Sequence, residues 1–448
     1  MKTLPKRLWA PRAWIGGAWQ DGVLLGVDAD GRWAELHTGV AAPPDATELP
    51  GPVLPGLVDA HSHAFQRAFA GLAERRSGEH DDFWSWRDRM YGVALRLGPQ
   101  GLRAVAAQLY GELLQGGYTQ VCEFHYLHHA EDGRPYADPL AMSRALAEAA
   151  AEAGIGLTLL PVLYQRAGFR QPALRDDQRR FATDVDTVLA LRDGVRALGL
   201  PRVDAGVAVH SLRAATPQGL RDLAARCADD PAPIHIHVAE QTGEVDDCLA
   251  ATGARPIEWL ARQGVLDARW QLVHATHAEP AEIDAVAASG AGVVLCPSTE
   301  ANLGDGLADL PRWMASGAPL SIGSDSQMAR SWPPELRWLE YGQRLLLQRR
   351  NVSAPAPAAA LFERTLQGGA AAAGLGPWGL RVGARADLLV LDTQAPGLCG
   401  VPRGDLLDAL VFATEAPAFS ETWVAGRRVH PAADRRAAFE GAMHELWR

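Results

Sequence analysis

Residues 53–63 run VLPGLVDAHSH. The segment 53–60 is a short apolar run with turn-forming Pro55 and Gly56 inside it, and Asp59, His61 and His63 crowd its end. Such a run has the pattern of a buried strand. Seven similar segments follow: 119–126 (TQVCEFHY), 156–164 (GLTLLPVLY), 203–210 (VDAGVAVH), 233–239 (PIHIHVA), 270–276 (WQLVHAT), 291–297 (AGVVLCP) and 319–325 (PLSIGSD). Amphipathic or alanine-rich stretches separate them, at 101–115, 138–153, 177–198, 217–228, 255–263, 280–289 and 307–316, with a last one at 334–348. Eight strand–helix units in alternation predict an α/β chain with a (β/α)8 TIM-type barrel over residues 56–380.

The two ends differ from this middle. Residues 1–55 and 381–448 carry short apolar segments punctuated by glycine, as in 14–36 (WIGGAWQDGVLLGVDADGRWAEL), 382–391 (VGARADLLVL) and 421–430 (ETWVAGRRVH). Flanking β-rich ends suggest one small β domain drawn from both termini.

Composition bounds the function. The chain has 448 residues, 48% of them hydrophobic, and a formal charge of -10. A large core is expected, and a general nucleic-acid binder, which needs a basic face, is not. The five cysteines are scattered and form no C-x-x-C pair, so neither a disulfide framework nor a thiolate zinc site is expected, and a reducing compartment is. The opening MKTLPKRLWAPRAW lacks an apolar signal core, and no run of 18 apolar residues occurs. A cytoplasmic protein that neither spans nor binds a membrane is the expectation.

A barrel enzyme works at the C-terminal tips of its strands, and here the tips are rich in polar groups. His61 and His63 stand at i and i+2, on one face of a strand, so both rings can point at one centre. Strand five carries His235 and His237; His237 lies nearer the tip, and His235, one layer deeper, suits a hydrogen-bonded core histidine. Asp325 ends strand eight. His61, His63, His237 and Asp325 therefore make a candidate site for a divalent ion with an open position, for which zinc fits best and iron or manganese is suitable. Only Lys2 and Lys6 are lysines, which leaves no mid-chain lysine to bridge a pair of ions; one ion per chain is expected. Glu240 and His274 are the candidate proton-transfer groups, with Asp325.

In LPGLVDAHSH, IHVAE, VHATH and SIGSD, with LRVGARADLLVLD in the tail, the chain resembles the amidohydrolase superfamily, in its mononuclear zinc aminohydrolase branch. That resemblance implies a small β-sandwich domain built from both termini. In GGYTQVCEFHYLHH, HSLRAAT, CPSTEANLGDG and FWSWRDRMY it is most similar to the N-formimidoyl-L-glutamate deiminases of histidine degradation. The resemblance implies substrate-binding roles for Gln66, Arg87, Tyr126, His210 and Arg213. The substrate would be a small dicarboxylate carrying a formimidoyl group, and Arg87 and Arg213 suit its carboxylates. Arg87 falls in the long loop after strand one, expected to fold over the barrel mouth as a lid. His125, His128, His129 and His277 are assigned to packing or to supporting the site. A homodimer is the expected assembly. The competing expectations are a deaminase of a purine, pyrimidine or triazine ring and a non-catalytic barrel.

Overall fold

A computed structural model describes residues 6–75, 83–430 and 433–448. Eight parallel strands run in sequence order around a nearly closed barrel: β1 Leu57–Ser62, β2 Tyr118–His125, β3 Gly156–Leu163, β4 Val207–Ser211, β5 Ile234–Val238, β6 Trp270–His274, β7 Gly292–Leu295 and β8 Leu320–Ile322. The ring closes through a parallel bridge between Ser62 and Asp325, with the Asp325 amide donating to the His61 carbonyl at 2.9 Å. Gly323 permits this approach: a Cβ there would stand 2.7 Å from the His61 Cβ. Asp59 adds a buried clasp, accepting from the Ser324 amide at 2.8 Å and its hydroxyl at 2.6 Å.

Each of the eight expected strands is present, with two refinements. Val53–Leu54 belongs to the terminal sheet, so the barrel strand starts at Leu57. The 203–210 segment divides at Gly206 into Val203–Ala205, which pairs with β3, and β4. A Cβ at Gly206 would collide with the Pro233 carbonyl, so the chain is pressed against β5 at the break.

The helices are α1 Phe83–Ala94, α2 Pro99–Gln115, α3 Ala141–Ala153, α4 Val185–Ala197, α5 Pro217–Arg226, α6 Thr242–Thr252, α7 Pro256–Gln263, α8 Pro280–Ser289, α9 Pro297–Leu303, α10 Leu310–Ser316, α11 Trp332–Leu347, α12 Pro357–Ala372, α13 Leu406–Ala413 and α14 Ala433–Leu446. Their starts follow local chemistry. Proline opens α5 behind Thr216, whose hydroxyl caps the Gly219 amide, and Asp184 caps α4 through the Thr187 amide. α12 packs against β1 and β8, where Gly368 lies on the Leu320 backbone and Gly369 on Val58. Its end reaches into the barrel interior: the Ala372 carbonyl accepts from His235 and the Ala373 carbonyl from Thr158.

Strands from both ends of the chain form one eight-stranded sheet. Lys6–Ile15 pairs antiparallel with Ala18–Val27, and Leu388–Leu391 pairs with Val53–Leu54 and Phe419–Val424. Its edge folds back so that the Trp33 amide donates to Ala384, and Leu8, Leu25, Trp33, Val53 and Leu388 fill its own small core. Arg385 anchors this body to the barrel, donating to Gln120 Oε1 at 2.8 Å and the Thr119 carbonyl at 2.9 Å.

Candidate metal centre and active site

The three histidines converge at the strand tips. His61 Nε2 lies 3.1 Å from His63 Nε2 and 3.0 Å from His237 Nε2. Asp325 Oδ1 lies 3.4 Å from His61 Nε2 and 3.3 Å from His63 Nε2. All four side chains are buried. His63 Nδ1 donates to the Phe124 carbonyl and His237 Nδ1 to the His210 carbonyl, each at 2.9 Å. Those bonds leave the Nε2 lone pairs facing inward, as metal-ligating imidazoles require. Lone pairs packed this closely repel unless a cation lies between them. Ligands arranged tetrahedrally at zinc's bond lengths of about 2.0–2.1 Å stand roughly 3.3–3.4 Å apart, so the donor spacing fits a small divalent ion. Burial lowers the pKa of His61 to about 3 and lowers those of His63 and His237, keeping all three neutral and able to ligate. Burial would raise the Asp325 carboxyl, yet the surrounding histidines hold it below the usual range.

Backbone strain accompanies the site. Ala239, His274 and Asp325 have φ of 51°, 71° and 45°. A non-glycine residue in this region costs about 1–3 kcal/mol, which packing must offset, and such strain concentrates at functional sites.

Glu240 and His274 face each other beside this cluster. Glu240 Oε1 lies 3.7 Å from His274 Nε2, which lies 3.9 Å from Asp325 Oδ2. Burial raises the Glu240 pKa to about 7, with Asp325 adding and His274 opposing. For His274 burial favours the neutral ring, but Glu240, Glu300 and Asp325 outweigh it and raise the pKa to about 10. The pair thus combines a carboxyl that titrates near neutrality with an imidazolium. Glu244 on α6 orients the Glu240 backbone, accepting from the Ala239 and Glu240 amides.

The five candidate substrate residues share one cavity with these groups. Gln66, Arg87, Tyr126, His210 and Arg213 line it with His63, His237, Glu240, His274 and Asp325. Gln66 Nε2 donates to the Tyr126 hydroxyl at 3.4 Å, while its buried Oε1 has no hydrogen-bond partner among the described residues. Such an acceptor suits an N–H donor on a ligand. Arg87 sits on a helix, α1, and not in a loop; its guanidinium stands 5.5 Å from the Tyr91 ring centre. Burial and the charge of Arg213 both lower the Arg87 pKa, so the two cations share one region of the wall.

The remaining barrel histidines separate as the residues around them dictate. His235 Nε2 donates to the Ala372 carbonyl at 2.8 Å inside the barrel, away from the His61–His63–His237 cluster. His125 and His128 pack edge to face at 4.9 Å, and His129 Nε2 donates to the Ala182 carbonyl at 2.7 Å. His277 is half-buried past β6, beside Gly306.

Sequence reasoning missed Glu300, on α9, whose Oε1 lies 3.3 Å from His274 Nδ1 and accepts from the Cys296 amide at 2.9 Å. The polar run CPSTE at the tip of β7 was its signal. Trp86, Met90, Tyr91 and Leu303 also line the cavity, and three of them lie in FWSWRDRMY.

A hydrolase on a (β/α)8 barrel, with a histidine-rich site that could hold a metal ion, is the class that this fold and site define. The chain belongs to the amidohydrolase family, whose model matches residues 53–429. It is 46% identical over 450 residues to a formimidoylglutamate deiminase from Pseudomonas aeruginosa, covering 98% of this chain and 99% of that protein. A crystal structure of an amidohydrolase from Brucella melitensis superimposes with a TM-score of 0.94 at 42% identity, covering 99% of this chain and all of that one. An adenosine deaminase from Xanthomonas campestris with bound zinc shares the fold, with a TM-score of 0.82 at 21% identity and 99% and 98% coverage.

Proposed function

We propose that the chain hydrolyses N-formimidoyl-L-glutamate to N-formyl-L-glutamate and ammonia, a step of histidine degradation. The observation that carries this reading is the single cavity that joins an ion-sized donor cluster, a proton-relay pair and two arginines. The near-full-length likeness to a formimidoylglutamate deiminase supports it.

One zinc ion per chain, held by His61, His63, His237 and Asp325, would supply an acidified water and a positive field at the attacked carbon. The rest is done by side chains. Arg87 and Arg213 bind the two carboxylates with forked hydrogen bonds. Gln66 Oε1 accepts from a formimidoyl N–H, and Tyr126 and His210 complete the wall. Asp325 takes a proton from the attacking water. Glu240, ionised and poised near neutrality, accepts the water's other proton and passes it to the nitrogen that leaves as ammonia. His274, held cationic by Glu240 and Glu300, steadies the tetrahedral carbon centre.

The protein acts on this substrate as a homodimer in the cytoplasm. Its five cysteines are free thiols, which supports a reducing compartment. Among the described residues no helix is long and apolar enough to cross a membrane.

Ring deamination remains the second reading, because Trp86 and Tyr91 in the wall are groups on which a ring stacks. An ammonia-release assay on N-formimidoyl-L-glutamate, its aspartate homologue, guanine and cytosine separates the two. The glutamate compound should be the best substrate by kcat/KM. A faster reaction with either ring would overturn the proposal.

A further inference from the structure

Ser62 lies between the two histidines of the H-S-H pair, and strand alternation sends it to the other side. Its hydroxyl donates to Glu123 Oε2 at 2.9 Å and accepts from Gln327 Nε2 at 3.1 Å. Glu123 Oε1 accepts from the Ala64 amide at 2.6 Å, and the Tyr110 hydroxyl reaches Oε2 at 3.3 Å. Gln327 Nε2 uses its second hydrogen on the Asp325 carbonyl at 2.8 Å. Glu123 therefore grips the chain on either side of His63, and Ser62 and Gln327 carry that grip to the backbone of Asp325.

Ser62, Glu123 and Gln327 are buried. Among the described residues the partners of Glu123 are one amide and two hydroxyls, with no cation. A carboxyl buried in this way is costly, and an apolar side chain of similar volume would serve the core as well. Its place is explained by what it holds.

We infer that Glu123 is a positioning residue for the metal centre: through Ser62 and Gln327 it sets the separation between the His61–His63 pair and Asp325. This rests on the metal reading of the site and is independent of the substrate.

The test uses the full-length protein stripped by chelation. Zinc affinity is measured by competition with a chromophoric chelator, and the thermal midpoint of the metal-free protein is measured beside it. Glu123→Gln replaces one acceptor oxygen with an amino group that cannot accept from Ala64 or Ser62. Partners of metal ligands typically contribute 10–100-fold in affinity, so the zinc dissociation constant should rise by about that factor, and by ~10-fold in Ser62→Ala. The double variant should match Glu123→Gln alone, because both act through one chain of bonds.

Zinc affinity unchanged in both variants, with the metal-free midpoint lowered, would show that Glu123 serves only the fold and would overturn the inference. Losses that multiply in the double variant would overturn the route through Ser62. Should Glu123→Gln fail to fold, Ser62→Ala decides alone: an unchanged affinity there overturns the proposal. A wild-type chain that takes up no zinc would overturn the metal reading itself, a result distinct from equal binding by all variants.

Discussion

Arg213→Met removes one cation from the cavity wall and leaves the backbone that carries it in place. The loop is pinned on both sides of this residue. Arg166 Nη2 donates to the Leu212 carbonyl at 2.7 Å, and the Gln165 amide donates to the Ala214 carbonyl at 2.8 Å. The side chain is half-buried in a protein of net charge -10, so the long-range field opposes a dianionic substrate and attraction must be local. Truncating one member of a desolvated charge pair costs about 2–5 kcal/mol, because the other charge is left unpaired. The smaller figure corresponds to a ~30-fold fall in kcat/KM for N-formimidoyl-L-glutamate. Ammonia release is measured on this substrate and on a formimidoyl compound lacking one carboxylate. The shorter compound should lose far less when the missing carboxylate is the one that Arg213 holds. The Arg213 charge also opposes the raised pKa of Glu240, so the acidic limb of the variant should move to higher pH. Equal losses on both compounds would show that Arg213 supports the fold or the metal centre, refuting its role in reading the substrate.

Glu240→Gln keeps the shape and removes the relay, so kcat should fall at least ~100-fold with metal content unchanged; near wild-type turnover would reassign the proton transfer. His274→Asn should give a comparable loss. The pH profile follows from the same pair. Glu240 must be ionised to accept a proton, so kcat/KM should rise with pH through a limb near or, with the cation bound, below the pKa of about 7. Activity should decline only in the alkaline range, where His274, held near 10, loses its proton. Persistence of the acidic limb in the residual activity of Glu240→Gln would assign it to another group. His61→Ala and His237→Ala should each lower metal content, measured by atomic emission, and abolish ammonia release.

The barrel was legible because its strands are short apolar runs, most of which end in or beside histidine, aspartate or glutamate, a pattern that local sequence displays. Partners distant in the chain were not. His235 reads as the deeper histidine of IHIHV, but its hydrogen-bond partner, the Ala372 carbonyl on a helix more than a hundred residues away, shows only in the fold. FWSWRDRMY reads as loop because aromatic and charged residues mix in it, and the cavity side of α1, with Trp86, Met90 and Tyr91, shows only once the barrel gives it a surface. α12 and α14 escaped because alanine and glycine blur the contrast between apolar and polar faces; tight packing by Gly368 and Gly369 takes the place of large side chains. Glu300 was missed because its partner, His274, lies 26 residues earlier, and only α9 brings the two together.

The most direct measurement is a titration of metal-free protein with zinc, following ammonia release from N-formimidoyl-L-glutamate. Activity should rise in proportion to added zinc and level off at about one ion per chain, with ammonia and N-formyl-L-glutamate formed in equal amounts. Full activity before any zinc is added, or a plateau reached only at two ions per chain, would contradict the single-ion deiminase.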